Sequence, residues 1–496
     1  PIPPIATFSP LSFLEGIPGL ATYAKTKYSL LPSNFSTTLS IRRSRITEQS
    51  RFLSFASPVI RDFMTQQTAQ FTWRLEENGF LNPTIDYNVT TGSTMMPFEL
   101  ENNIRQRNNS EIIGSIFGGA GKPINFGLPT MHSQNITINF RPVLPNFFNI
   151  NNYINSTGSF RTTYNWNDPL QQNLAISDVS KSAQFNNAIQ FNSNFKLKTF
   201  AENLLGIKPK PANKKDTIDP SIMETIGMAL KTVFLDYETF TFNFNQNNTA
   251  NTMGVLGGNG ITNVWARSMT FRENDPIWGP SFAYQMGLTS NPHGNIRFSP
   301  SSSFPFIGFE TDMGIRPRNA IMQDVFTQRS TIEFRTSRPL WTGAVLDLNW
   351  RSEFGFNRNQ TLITQDDGIP EITNKILTQQ IGRSYVMLPT IFFFPNNTVG
   401  RVVNNYQQER QVIVNNPNLD TLQKNALIQD ALSSSFRNGF ESLNFLTGAL
   451  RTIMPNINWT FRWDGLEKLP FVKDYARRIS LDHAYISRYT ENVQVT

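Results

Sequence analysis

The chain contains no cysteine, and only 3 histidines occur in its 496 residues. The first absence excludes disulfides, thiol catalysis and cysteine metal sites. The second leaves few ingredients for a metal centre or a nucleophile–base pair. Charge is scarce as well, at 16% of residues. The net charge of +7 is spread along the chain, densest at Arg42, Arg43 and Arg45 and from Lys208 to Lys215. A nucleic-acid binder concentrates its basic residues on one helix or loop and interleaves aromatics there, so no nucleic acid is expected as a partner. Long apolar runs are also missing. No segment approaches the roughly 18 apolar residues of a transmembrane helix, and the most apolar stretch, YVMLPTIFFF (385–394), is short and holds Pro389. A chain like this crosses a membrane only as a closed barrel, where every backbone polar group finds a partner.

What is present is aromatic and polar. Phe (41) far outnumbers Tyr (12) and Trp (8), and Asn, Thr, Ser and Gln fill much of the rest, a composition suited to strands and turns. The dominant signal is alternation with period two. It runs through Phe35, Thr37, Leu39 and Ile41, then Phe71, Trp73 and Leu75, then Ile85, Tyr87 and Val89. It continues at Ile136–Phe140, at Phe160, Tyr164 and Trp166, and over 183–198, where Phe185, Ile189, Phe191, Phe195 and Leu197 oppose Asn, Gln and Lys. Phe240–Phe244, Trp265–Phe271, Ile332–Phe334, Leu346–Phe356, Ile457–Trp463 and Ile479–Tyr489 complete the series. With these twelve runs the chain holds about 14 candidate strands, and turn-rich segments such as 247–260 and 301–306 lie between them. Helical spacing is confined to 221–233 and 421–453, each expected to pack over a loop or rim of the sheet. Residues 207–220, IKPKPANKKDTIDP, form the best candidate for an exposed loop or linker, and 421–453 is expected as a helical insertion before the last hairpin.

Alternation alone does not separate a lipid-facing barrel from a soluble sandwich. Three features favour the barrel. Several strands reach the roughly 9–11 residues that a tilted membrane strand needs. Aromatics cluster near strand ends, at Tyr164–Trp166, Trp463 and Tyr485–Tyr489, as interfacial girdles do. The polar face carries charges of both signs, as at Asp347, Arg351 and Glu353, like a water-filled lumen. The fold class expected is all-β: an antiparallel transmembrane β-barrel with a few short helices in loops.

No catalytic constellation emerges, and no cofactor is expected. His132 and His293 fall in turn-like contexts and are read as exposed loop residues. His483 shares parity with Ile479, Leu481 and Tyr485 and so lies on the apolar face. A membrane-embedded hydrolase places a histidine there only with a serine partner on the next strand, and a histidine beside an aromatic belt is the commoner case. The glycine clusters FGGAGKP (117–123) and LGGNGI (256–261) lack phosphate-loop spacing and read as turns.

The C-terminal stretch MPNINWTFRWDGLEKLPFVKDYARRISLDHAYISRYT (454–490) is more specific. It resembles the SprA/Sov family, the outer-membrane translocon of the type IX secretion system in Bacteroidetes and their relatives. The matching positions are Pro455, Asn456 and Trp459, then Asp464, Gly465 and Leu466, Lys468, Pro470 and Phe471, and the run His483, Ala484 and Tyr485. A second stretch, VWARSMTFRENDPIWGPSFAYQMGLT (264–289), resembles the family's strand followed by a Pro-Gly-rich segment ending in an aromatic–glycine element. Arg462-Trp463 stands where the family pattern has Thr-Tyr, and Ile486 where it has Arg, as in a divergent member. The first stretch also raises a local question. Its alternation through Trp459, Phe461 and Trp463 stops at Asp464-Gly465, which opens a connector of roughly 14 residues, longer than the short turns of one barrel end.

The resemblance implies a protein-conducting channel with a wide polar lumen, involved in secretion and gliding motility and needing no active site. It implies as partners cargo proteins with a C-terminal sorting domain, a PorV-type outer-membrane barrel, a periplasmic plug protein and outer-membrane lipid, in the outer membrane of a Gram-negative cell. Residues 1–496 are then expected to be a C-terminal-side portion of one very large barrel, cut before its last strands. Asp347, Arg351, Glu353, Arg462, Asp482 and Arg488 are expected to face the lumen, and Trp459, Phe461 and Trp463 lipid or the membrane interface. The alternatives are a TonB-dependent or porin-type uptake barrel and a soluble, secreted β-rich adhesin.

Overall fold

A computed structural model describes residues 7–17, 19–46, 60–94, 99–100, 109–117, 126–169, 179–204, 237–256, 279–280, 282–288, 295–299, 302–305, 316–341, 343–365, 370–384, 398–417, 458–466 and 478–495, with scattered helical residues between 419 and 435. A 14-stranded antiparallel sheet dominates it. Its long strands are β1 (Asn34–Ile46), β2 (Ile60–Arg74), β3 (Thr84–Thr94), β4 (Leu128–Phe140), β5 (Ile154–Asn167), β6 (Ser182–Phe195) and β7 (Phe240–Met253). They continue as β8 (Ile321–Trp341), β9 (Ala344–Thr364), β10 (Pro370–Ser384), β11 (Asn458–Asp464), β12 (Ser480–Tyr485) and β13 (Arg488–Val495), and the two-residue strand Glu99–Leu100 pairs with the start of β2. From β1 to β9 each strand pairs with its chain neighbours, an up-and-down meander. Among the described residues the sheet is open, and β1 is not joined to β12 or β13.

Beyond β9 the meander splits. The first part of β9 pairs with β11, through Ala344↔Trp463 to Asn349↔Asn458. The later part pairs with β10, from Ser352↔Arg383 onward. β10 and β11 therefore lie end to end as one interrupted strand, and β12 and β13 pair with them in the same way. At the break, side chains replace the missing backbone. Ser384 Oγ accepts from the Arg351 N–H at 3.2 Å and donates to its carbonyl at 3.3 Å. Asn458 accepts from the Ser487 N–H at 3.1 Å and donates to its carbonyl at 3.3 Å. Backbone groups that lose their ladder partners need such substitutes.

One sheet face carries nearly every apolar position identified by alternation. Register ties Phe71, Tyr87, Ile136, Thr162, Asn187, Asn248, Gln328 and Phe356 into one row across it. The opposite face is polar, and its carboxamides and hydroxyls bond across strands, as Ser133 with Asn165 and Gln323 with Asn359, both at 2.8 Å.

Several expectations are corrected. Residues 247–253, read as turn, complete β7, because neighbours on both sides supply a ladder to an Asn-rich segment. Ser302–Pro305, also read as turn, pairs with Asn295–Ser299. Leu197 and Lys198 leave the strand and begin the helix Leu197–Leu204. His132 lies in β4 and is buried, not in an exposed loop. β10 and the helix Thr398–Val414 were not anticipated. Described residues of 421–453 are helical as far as Ser435. The readings at 207–220, 221–233, Trp265–Phe271, 118–123, 257–261 and His293, and at Pro455, Asn456, Lys468, Pro470 and Phe471, lie outside the described residues.

Candidate functional site

The aromatic face has two parts, divided along the strands. At the β6 start it is covered by chain that connects β7 to β8. There the short helix Phe282–Gln285 and the residues after it lie on the sheet. Tyr284 is buried edge-on against Phe185, ring centroids 5.2 Å apart, and against Tyr164 at 6.3 Å. Its hydroxyl shares a hydrogen bond of 2.6 Å with Thr252. Asn187 donates to the Met286 carbonyl at 3.3 Å, and the Trp166 indole donates to the Val255 carbonyl at 3.0 Å. Gly287 adopts φ +65°, and a Cβ there would sit 2.8 Å from Asn187 Cβ, so this close approach requires glycine. The seated element is the aromatic–glycine end of the second family-like stretch.

The cover hides polar groups as well as rings. His132 bonds Thr91 Oγ1 through Nδ1 at 2.9 Å and lies beside the Tyr164 ring. Arg316 grips Asp324 with both guanidinium nitrogens, at 3.2 and 2.9 Å, and both residues are buried. The expected girdle at Tyr164–Trp166 is therefore corrected: these rings belong to a sealed protein core with Phe185, Val255, Phe326 and Tyr284.

Toward the other end the same face is an aromatic band of half-buried rings, with the Phe200 ring of the helix Leu197–Leu204 5.5 Å from Phe195 at its tip. Phe191, Phe242, Phe334 and Trp350 form a chain of ring contacts with centroids 6.0, 4.8 and 4.6 Å apart. On β6 the band runs from Ile189 to Phe195, about 20 Å at roughly 3.4 Å per residue. The family-like C-terminal motif joins it. Trp459 stacks on Tyr485 at 4.6 Å and on His483 at 6.4 Å, while Trp341 packs edge-on to Trp463 at 5.3 Å. His483 sits on the aromatic face opposite Phe461, as its parity indicates, and its ring neighbour is an indole. Ala484 points the other way, opposite Thr460. Asp464 ends β11 with its N–H on the Gly343 carbonyl at 2.8 Å, and Gly465 follows at φ 125° with Leu466 beyond it.

The polar face brings the charged candidates together. Register places Asp347, Arg351, Glu353, Arg462, Asp482 and Arg488 all on it. Arg351 pairs with Glu353 at 2.5 Å, and Glu353 also binds Arg488 two strands away. That contact passes over Gly382, whose hypothetical Cβ would lie 3.4 Å from each partner. Arg462 bridges Asp464 at 3.2 Å and Asp482 at 3.7 Å. Asp347 stands opposite Thr460 on β11 and is not joined to the others by an ion pair among the described residues. The seated element and the sheet's interruption were both missed by sequence reasoning. Only the aromatic–glycine spacing hinted at the first.

Among the described residues no group of three or more His, Asp or Glu side chains could hold a metal. No family model and no curated protein matches the chain.

Proposed function

We propose that the chain forms part of the wall of a very large outer-membrane barrel that conducts proteins, a channel of the SprA/Sov kind. The observation that carries this reading is the division of labour between the two faces of one continuous meander. The polar face, rich in Asn, Thr and Gln and crossed by ion pairs of both signs, has the chemistry of a water-filled lumen. The bare aromatic band on the opposite face has that of a lipid contact. Its length along the strand, about 20 Å, corresponds at a tilt of roughly 40° to about 15 Å of height, part of the roughly 25 Å apolar band of membrane barrels. The seated element then lies on the same outer surface beyond the hydrocarbon, covering Asn187, which is too polar for lipid. An open meander with two unjoined ends suits an arc of a larger wall.

In this role the protein moves cargo bearing a C-terminal sorting domain. Its partners are a PorV-type barrel, a periplasmic plug and outer-membrane lipid. No catalytic step is needed, and the charged candidates act by keeping the lumen wet. Two measurements test the reading. A full-length protein that is soluble and monodisperse without detergent would remove every barrel reading and leave the adhesin. If depletion leaves secretion of tagged cargo normal, the translocon reading fails in favour of an uptake barrel.

A further inference from the structure

The bare band is not uniform. Where β7 begins and toward the end of β8, Tyr237, Phe240, Phe334, Leu348 and Trp350, together with Arg335 and Thr336, line an open, mainly apolar cup of about 300 Å³. Behind one lining residue stands a further cation: the Arg338 guanidinium lies over the Tyr237 ring, 5.4 Å from its centroid. A bare apolar hollow beside a guanidinium matches one kind of molecule, an acyl chain joined to a phosphate.

We propose that this cup is a binding site for a single anionic phospholipid, with one acyl chain among the five apolar residues and the phosphate at Arg338. The inference rests on the reading that the aromatic band meets lipid. Three lines of chemistry support it. A guanidinium matches phosphate geometry through paired N–H donors and is more weakly hydrated than an ammonium. Cation–π attraction to Tyr237 orders the side chain before a ligand arrives. The cup also sits at the end of the band on β6 and β7, where Tyr237 and Trp350 supply the amphipathic rings that gather at the headgroup level.

The test is tryptophan quenching of the full-length detergent-solubilised protein by acyl-brominated phosphatidylglycerol and acyl-brominated phosphatidylcholine. The Trp350 signal is isolated by subtracting the Trp350→Phe protein. Phosphatidylglycerol is expected to reach half-quenching at about one fifth the mole fraction, the factor given by one cation near an anionic surface. Arg338→Gln should erase the preference, and Leu348→Phe, which fills the cup from the next strand, should weaken quenching by both lipids. Equal quenching in the unaltered protein, or a preference that survives Arg338→Gln, overturns the site. Loss of the preference on adding inorganic phosphate alone overturns lipid as its occupant. Absence of quenching by either lipid at any tryptophan sinks the membrane reading itself. If both lipids quench other tryptophans but show no preference at Trp350, only the cup is lost.

Discussion

At the Phe185 end of β6 the aromatic face is sealed under Tyr284 and Val255, whereas further along the same strand Phe191 and Phe195 lie in the bare band. Both ends alternate with period two, and both present rings on the same side. They differ in what lies over them. The sealed end needs glycine at a close approach, a hydroxyl partner for Tyr284 and an acceptor for the Trp166 indole. Among the described residues the other end is held mainly by ring-to-ring contacts, with Arg338 over the Tyr237 ring. Alternation therefore reports which face is apolar, while specific hydrogen bonds and volume constraints report whether protein covers it.

Substitutions can break that comparison, and the largest effect belongs to the sealed end. Phe185→Ala should cost about 3–5 kcal/mol, the range for emptying a buried aromatic site, and Phe242→Ala in the bare band should cost well under half of that. Guanidinium unfolding in detergent measures both, and equal costs would abolish the distinction. Next is Arg316→Met, which takes the ion-pair partner from Asp324 while the Arg358 charge still acts on it, and should cost about 3 kcal/mol. A compensating Asp324→Leu on that background should recover most of the loss, and failure to recover would mean that the pair's charge is needed for more than its own neutralisation.

Gly287→Ala is the finer probe of the seated element. An alanine at positive φ and against Asn187 should cost about 1–3 kcal/mol. The loss should appear as faster hydrogen exchange at Tyr284–Leu288 before any change at the bare end. Smallest of all, Glu353→Gln on the exposed polar face should change stability by about 1 kcal/mol or less. A large destabilisation there would show that the Arg351–Glu353–Arg488 chain does structural work beyond a solvated surface.

The meander was legible because strands β5, β6 and β9 keep their aromatic residues in strict parity, with few helix formers to compete. The polar placement of Arg351, Glu353, Arg462, Asp482 and Arg488 followed from the same parity. What sequence reasoning missed had no periodic signature. Asn247–Thr252 reads as turn in isolation, and strand neighbours on both sides overrule that local preference. His132 follows Leu128-Pro129, which mimics a turn, yet its ring is held by Thr91 from the adjoining strand. Tyr284 binds residues far away in the chain through Thr252, Phe185 and Tyr164, and no local pattern encodes such partners. The collinearity of β10 and β11 is equally invisible, since residues 385–457 separate them.

That interruption has a consequence for how the molecule can be altered. On β9, Ser384 bonds to Arg351 and Asn458 pairs with Asn349, so only the position opposite Trp350 lies between them. Everything from 385 to 457 leaves and returns through a gap about one residue wide. Such a branch is a cassette. Joining Ser384 to Asn458 through a single threonine should restore one uninterrupted strand, and a foreign domain with adjacent termini should be accepted at the same point without shifting the register on either side.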